Sequence, residues 1–226
     1  MSNKIHNTVI IEDDVEIGIG NIIEPYVILK KGTVIGSNNI IRSFTTIGNK
    51  PNIQNSTIQS KTIIGDNNII GKYVSIDNGS NNYQYTNIHN NNSIYDYCHI
   101  AHDCIIGSNN ILVNNCALCG NVELEDDITL YGHVYIINNI VIGSNSVIGA
   151  DTRICNNVPP YSFVVDKRTE KIISTVNGND NLRKAHRILF RSKLDNKSIL
   201  KELSNIDSEE VNEIIDFIKT YNNIIK

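Results

Sequence analysis

The stretch YCHIAHDCIIG, residues 97–107, sets two histidines, an aspartate and two cysteines into an otherwise apolar run. Histidine exchanges a proton near neutral pH, so His102 beside the carboxylate of Asp103 has the parts of a general base and its orienting partner. Histidine and cysteine also bind metals, but a metal site needs convergent ligands at a recognisable spacing. Here the spacing follows another rule: Cys98, Cys104 and Cys116 fall into a regular series of small residues, which assigns them to a wall and not to an ion. No metal is expected. A histidine merely satisfied by its neighbours is the plainer alternative for His102.

That rule is a step of six. From Ile5 every sixth residue is isoleucine or leucine through Ile53; the register loses one residue, resumes at Ile58, Ile64, Ile70 and Ile76, omits one slot, and runs from Ile88 to Ile154, for 25 positions in all. A helix repeats near 3.6 and a half-buried strand near 2, so a repeat of six specifies a β-solenoid of hexapeptides, three to a triangular coil of 18 residues. About eight coils stacked at the usual inter-strand spacing make a prism about 40 Å tall. Two positions before each aliphatic rung stand small or β-branched residues, such as Val15, Thr45 and Val74, or asparagines, Asn21, Asn39, Asn68 and Asn110, which can form hydrogen-bonded ladders between coils. Glycine follows the rung at Gly18, Gly36, Gly48 and Gly65, among others, where a sharp corner is expected to favour it.

Steps of 18 place His102, Gly120 and Asn138 in one column. A glycine one coil above the histidine leaves its backbone N–H open as an oxyanion donor. Base and donor together suit acyl transfer without a covalent intermediate. His99 shares the segment and is a candidate contact for substrate phosphate or hydroxyl groups. His133 lies in another column and reaches such a site only from a neighbouring subunit. His6, His89 and His186 read as surface residues. The omitted slot is a polar insertion, NGSNNYQYTN, residues 78–87. A long loop on a rigid scaffold is a candidate site wall.

The elements that must carry this chemistry are a solenoid over residues 1–158, with the inserted loop at 77–87, and a C-terminal region over 159–226. Paired prolines, Pro159 and Pro160, are expected to stop strand pairing. After an extended piece, YSFVVD, comes a helix at roughly 180–194 bearing Arg183, Arg187 and Arg191. A second, capped by Asp207 or Ser208, has Val211, Ile214, Ile215, Ile218 and Tyr221 on one face. The arginine stripe is a solvated face or a surface for phosphates or an acidic carrier protein.

The chain has 226 residues, 40% of them apolar, and a formal charge of −4 without long single-sign runs, which gives no nucleic-acid surface. It has no membrane-length apolar stretch and no signal-peptide pattern, so a cytoplasmic location is expected, with its five cysteines reduced.

In its hexapeptides, the insertion before the histidine motif, the segment HIAHDCIIGSNNILVNN, the exit NNVPPYSFVV and a helical C-terminal part, the sequence resembles the left-handed parallel β-helix hexapeptide acyltransferases. Within them it looks most like the UDP-N-acetylglucosamine O-acyltransferases of lipid A synthesis. The resemblance implies an all-β solenoid wound left-handed, a homotrimer with sites between subunits, a thioester donor, His102 as base, Asp103 as its partner and the Gly120 N–H as oxyanion donor. It also marks departures. Asn121, Ile137, Asn138, Asp77 and Asn78 stand where that branch carries histidine, histidine, glutamine, histidine and arginine, and Ala150 replaces the glycine that opens its acyl floor.

These changes touch the sugar groups and the acyl pocket more than the base. They point to the related nucleotide-linked amino-sugar N-acetyltransferases. The expectation is therefore transfer of an acetyl group from acetyl-CoA to the amine of a nucleotide sugar, such as a dTDP- or UDP-3-amino-3,6-dideoxyhexose. In that reading His99, Asn121, Asn138, Asp77, Asn78 and His133 hold the sugar, while Ala150, Arg183, Arg187 and Arg191 serve the donor. The alternative is the lipid A type O-acyltransferase, with acyl carrier protein on the arginine stripe. A noncatalytic hexapeptide scaffold is the third reading, favoured by an inert His102.

Overall fold

The computed structural model describes residues 2–51, 60–80, 85–165, 172–175, 179–192 and 194–221. Strands of two to four residues visit three sheets in rotation as far as Arg153–Ile154, each coil adding one strand to each sheet, and Ser162–Val164 and Ile172–Thr175 then both join the first sheet. The first sheet has ten strands, from Lys4–Ile5 to Ile172–Thr175; the second has eight, from Ile10–Ile11 to Arg153–Ile154; the third has seven, from Glu16–Ile17 to Val141–Ile142. Pairing is parallel and in register, as in Ile100↔Leu118↔Ile136, until a closing antiparallel pair. The result is a left-handed parallel β-helix with a small helical C-terminal region. Its rungs from Ile23 onward are almost wholly buried, whereas Ile5 and Ile11 of the first coil, with no coil beneath them, stay exposed.

The corners make a six-residue repeat possible. Among the described residues eighteen non-glycine positions have φ near +60°, most of them Asn or Asp, the types that tolerate the left-handed region best. The glycines after the rungs serve a different purpose from the one expected of them. Of those, only Gly48 has positive φ; elsewhere the constraint is close approach between coils, and a Cβ on Gly65 would stand 2.8 Å from the His89 carbonyl oxygen. Four exceptions at the corner between the first and second sheets are bulky: Tyr26, Phe44, Tyr73 and Tyr97. Their rings stack at 4.9–5.1 Å between centroids, which offsets the backbone strain.

The asparagines form one continuous thread. Asn3, Asn21, Asn39, Asn68, Asn92 and Asn110 each accept, on Oδ1, the backbone N–H one coil higher, the last from Ile128. The side-chain amides donate to neighbouring carbonyls, so buried polar groups are satisfied on both ends. From Asn21 on, all of them precede first-sheet rungs. Before second- and third-sheet rungs the same slot holds Val, Thr or Cys, including buried Cys98, Cys104 and Cys116, except for Ile140 before Ile142. None of the five cysteines is joined in a disulfide.

Two rungs of the sequence ladder have no place in this rotation. Ile53 and Ile58 lie outside the described residues, and the strands Thr46–Asn49 and Lys61–Ile64 on either side already occupy successive sheets. The chain therefore makes two excursions, one between Asn49 and Lys61 and one between Asp77 and Tyr85, both at the corner between the second and third sheets. The expected loop 77–87 is shorter at its far end, since Tyr85–Ile88 is a strand; residues 81–84 lie outside the described residues.

Pro159 and Pro160 do not end the sheet. They fall in a turn, where a missing N–H costs no ladder bond, and Ser162–Val164 then pairs in parallel with Val147–Ile148. Three helices follow: α1 (Asp180–Arg191), capped by Asn179; α2 (Asn196–Leu203), capped by Asp195; and α3 (Glu209–Thr220), with Ser208 at its N-cap. Leu182, Leu189, Ile199, Leu203, Val211 and Ile214 form their shared core, and Phe190 also packs against the solenoid. Among the described residues no helix is long and apolar enough to cross a membrane.

Candidate functional site

The corner between the second and third sheets carries His102–Asp103, Gly120–Asn121 and Asn138–Asn139 on successive coils. Asn121 N–H donates to the His102 carbonyl at 2.9 Å and Asn139 N–H to that of Gly120 at 3.2 Å, which sets the three pairs in one column. His102 Nδ1 lies 2.7 Å from Asp103 Oδ2. A carboxylate only accepts, so in the neutral imidazole the proton sits on Nδ1 and the Nε2 lone pair is left bare. The imidazole packs directly against Gly120: a Cβ there would stand 2.5 Å from Nε2 and 3.0 Å from Nδ1. Only glycine admits the ring at that height. Among the described residues nothing takes the Gly120 N–H.

Asp103 is held from below. Its side chain is 3% exposed against 22% for His102, and its backbone is left-handed at φ 62°. The Ser80 N–H donates to Asp103 Oδ1 at 2.6 Å, and the Asp103 N–H donates to Thr86 Oγ1 at 3.0 Å. Beside this corner, on the outer face of the second sheet, His99 Nδ1 and Ser75 Oγ are 2.7 Å apart. Asp77 lies two residues along the same strand as Ser75. Burial raises the Asp77 carboxyl above its ordinary value, against the opposing pull of His99, His102 and the Asn49 amide. Further up the face Cys119 Sγ bonds Tyr135 Oη at 3.0 Å, and the Arg153 guanidinium stands 5.9 Å over the Tyr135 ring.

His102, Asp103, Gly120, Asn121 and Asn138 are thus brought together, with Asp77 and His99 at the edge. Asn138 is exposed, and the Asn121 amide donates to Asn139 Oδ1 at 2.8 Å. Asn78, read from the sequence as a sugar ligand, is buried, and the fold uses its amide: Oδ1 accepts from Thr62 Oγ1 at 2.8 Å and Nδ2 donates to the Lys31 carbonyl at 3.3 Å. Within one chain His133 and Ala150 stand at the corner on the other side of the second sheet, where His133 Nδ1 meets Asp151 Oδ1 at 3.2 Å. Arg183, Arg187 and Arg191 are exposed on α1, with Arg183 paired to Asp180 at 3.1 Å. Among the described residues no group of three or more ligating side chains could hold a metal ion.

Ser75, Ser80, Thr86 and Asn139 were not singled out in the sequence. Asn139 follows Asn121 by 18 and Thr86 fills the small-residue slot before Ile88, so counting finds both. Ser80 acts through its backbone and has no such signal.

The model of the bacterial transferase hexapeptide repeat matches residues 14–49 and 85–120. A protein of Thermodesulfovibrio yellowstonii named acyl-(acyl-carrier-protein)–UDP-N-acetylglucosamine O-acyltransferase is 37% identical over 93% of this chain and 87% of its own. Relatives of the same description from Saccharophagus degradans and Campylobacter concisus are matched over 42% and 55% of their length, so the chain spans about half of them. The UDP-N-acetylglucosamine acyltransferase structure from Francisella novicida superposes with a TM-score of 0.88 at 25% identity, covering 98% of this chain and 93% of that one. The Campylobacter jejuni structure gives 0.85 at 29%, covering 98% of each. These relatives overturn the expected amino-sugar N-acetyltransferase and its acetyl-CoA donor: their names specify O-acyl transfer from acyl carrier protein.

Proposed function

Because the chain belongs to the family of acyl-(acyl-carrier-protein)–UDP-N-acetylglucosamine O-acyltransferases, we propose that it esterifies a hydroxyl of UDP-N-acetylglucosamine with an acyl group delivered as an acyl-carrier-protein thioester. The observation that carries this reading is the His102 ring, held on Nδ1 by Asp103 and packed against Gly120, whose N–H has no partner among the described residues. His102 Nε2 takes the proton as the sugar oxygen attacks the thioester carbon. The Gly120 N–H stabilises the tetrahedral oxyanion. The intermediate collapses by breaking the C–S bond, and the imidazolium returns its proton to the departing thiolate, leaving ester and carrier thiol.

In this reading His99, Asp77, Asn121 and Asn138 orient the sugar, since all four face or border the base. Arg183, Arg187 and Arg191 give an acidic carrier protein a basic helix to approach. The working unit is a homotrimer, in which His133 of a neighbouring copy can reach a site that it does not share with His102 in its own chain. Light scattering should then give three times the 25.3 kDa chain mass.

The test is release of carrier thiol from an acyl-carrier-protein thioester on addition of UDP-N-acetylglucosamine. Wild type should turn over, and His102→Ala should lose about 10²- to 10⁴-fold in kcat. A His102→Ala protein as active as wild type, or a wild type inert toward this pair of substrates over a series of acyl lengths, rejects the reading.

A further inference from the structure

Both ends of the excursion between Asp77 and Tyr85 arrive at Asp103. The first residues are fixed in place: Asn78 N–H donates to the Asn49 carbonyl at 2.8 Å and Gly79 N–H to that of Lys61 at 3.2 Å. This delivers the Ser80 N–H to Asp103 Oδ1 at 2.6 Å. On the far side Thr86 is wholly buried in a strand paired with Thr62, and its hydroxyl oxygen takes the Asp103 N–H at 3.0 Å. One bond fixes the carboxylate and the other fixes the backbone that bears it. With Oδ1 occupied, Oδ2 is the oxygen left for His102 Nδ1.

We propose that Ser80 and Thr86 are positioning residues for the base, clamping Asp103 so that His102 keeps its proton on Nδ1 and presents Nε2 bare over Gly120. A carboxylate held by His102 alone can rotate about its own bonds, and the imidazole is then free to carry its proton on either nitrogen. A histidine protonated on the nitrogen that faces the substrate cannot accept a proton there, and the cost of the wrong tautomer in a histidine–aspartate pair is large. The excursion is therefore part of the catalytic apparatus through its roots, whatever its tip contacts. The kinetic consequence rests on the base role given to His102 above; the tautomer is a property of the resting protein.

The experiment is nitrogen-15 NMR of the full chain labelled on histidine, with the His102 ring signals assigned by their loss in His102→Ala. Wild type should show one tautomer, protonated on Nδ1. Ser80→Pro deletes the N–H and Thr86→Val deletes the oxygen. In both, the Nε2-protonated form should appear, and kcat should fall about tenfold or more while KM moves less than about twofold. Thr86→Ser keeps the acceptor oxygen and should restore the wild-type tautomer and rate. If Ser80→Pro does not fold, the pair Thr86→Val and Thr86→Ser decides alone. A wild-type tautomer unchanged in folded Thr86→Val overturns the proposal. A shifted tautomer in a protein whose wild type shows no O-acyl transfer supports the clamp and rejects only the reaction assigned to it.

Discussion

His102 and Gly120 constrain each other as single residues. A methyl group on Gly120 would fall 2.5 Å from His102 Nε2, so Gly120→Ala must push the ring away from its Asp103 partner or off the column. We expect kcat to fall about 10²-fold or more, with the melting temperature changed little, because the ring is partly solvent-exposed and has room to move outward. Steady-state kinetics beside a thermal melt separates these effects. Asp77 gives a pH-dependent expectation. Burial raises its folded value above the ordinary 3.8, so its contribution to stability is fully present below 3.8 and is lost as pH rises through the folded value. Asp77→Asn should melt higher than wild type at neutral pH and coincide with it below 3.8. Equal melting temperatures across that whole range would show that burial exacts no penalty from the carboxylate. At this scale the sequence was readable where counting by 18 applies, as for His102, Gly120 and Asn138. It misled at Asn78, because a polar residue opening an insertion looks solvated, whereas three segments of backbone close around it.

Among elements, the two ladders on the corners do different work. Asn68 accepts the Asn92 N–H, donates to the His89 carbonyl, and gives its own N–H to Asn39. Asn68→Ala leaves a buried N–H and a carbonyl without partners, so we expect a loss of about 2–3 kcal/mol in a denaturant titration. Phe44 lies between Tyr26 and Tyr73, and Phe44→Ala removes two ring contacts from a residue whose backbone conformation is costly for any side chain but asparagine or aspartate. About 1–3 kcal/mol should be lost, and Phe44→Asn should recover part of it through the backbone. The hexapeptide period exposed every strand that the fold contains between Ile5 and Ile154. It also counted Ile53 and Ile58, which lie outside the described residues, although the strands on either side of them occupy successive sheets. The one-residue slip between those two was the visible trace of the excursion between Asn49 and Lys61.

For the whole molecule, stability accumulates coil by coil, since each strand pairs only with those directly above and below it. The base belongs to the part of the stack where two excursions leave through the same corner just beneath it. Fold class and family were legible over nearly the full length. The acceptor and donor were not, because the residues that differ around the base set the chemistry of the substrate only through contacts that a linear pattern does not specify.

The asparagine thread has one more consequence. A hexapeptide coil has three nearly equivalent sides, and winding the chain six residues out of step would still turn every aliphatic rung inward. Hydrophobic burial is therefore blind to that mistake. The amides are not: Asn3, Asn21, Asn39 and Asn92 donate to the carbonyls of Gly18, Gly36, Gly65 and Gly107 at the corner between the third and first sheets, and displaced by one side they would meet a corner built of other residues. The thread gives the prism a numbered side, and with it a definite corner at which His102 must meet Gly120.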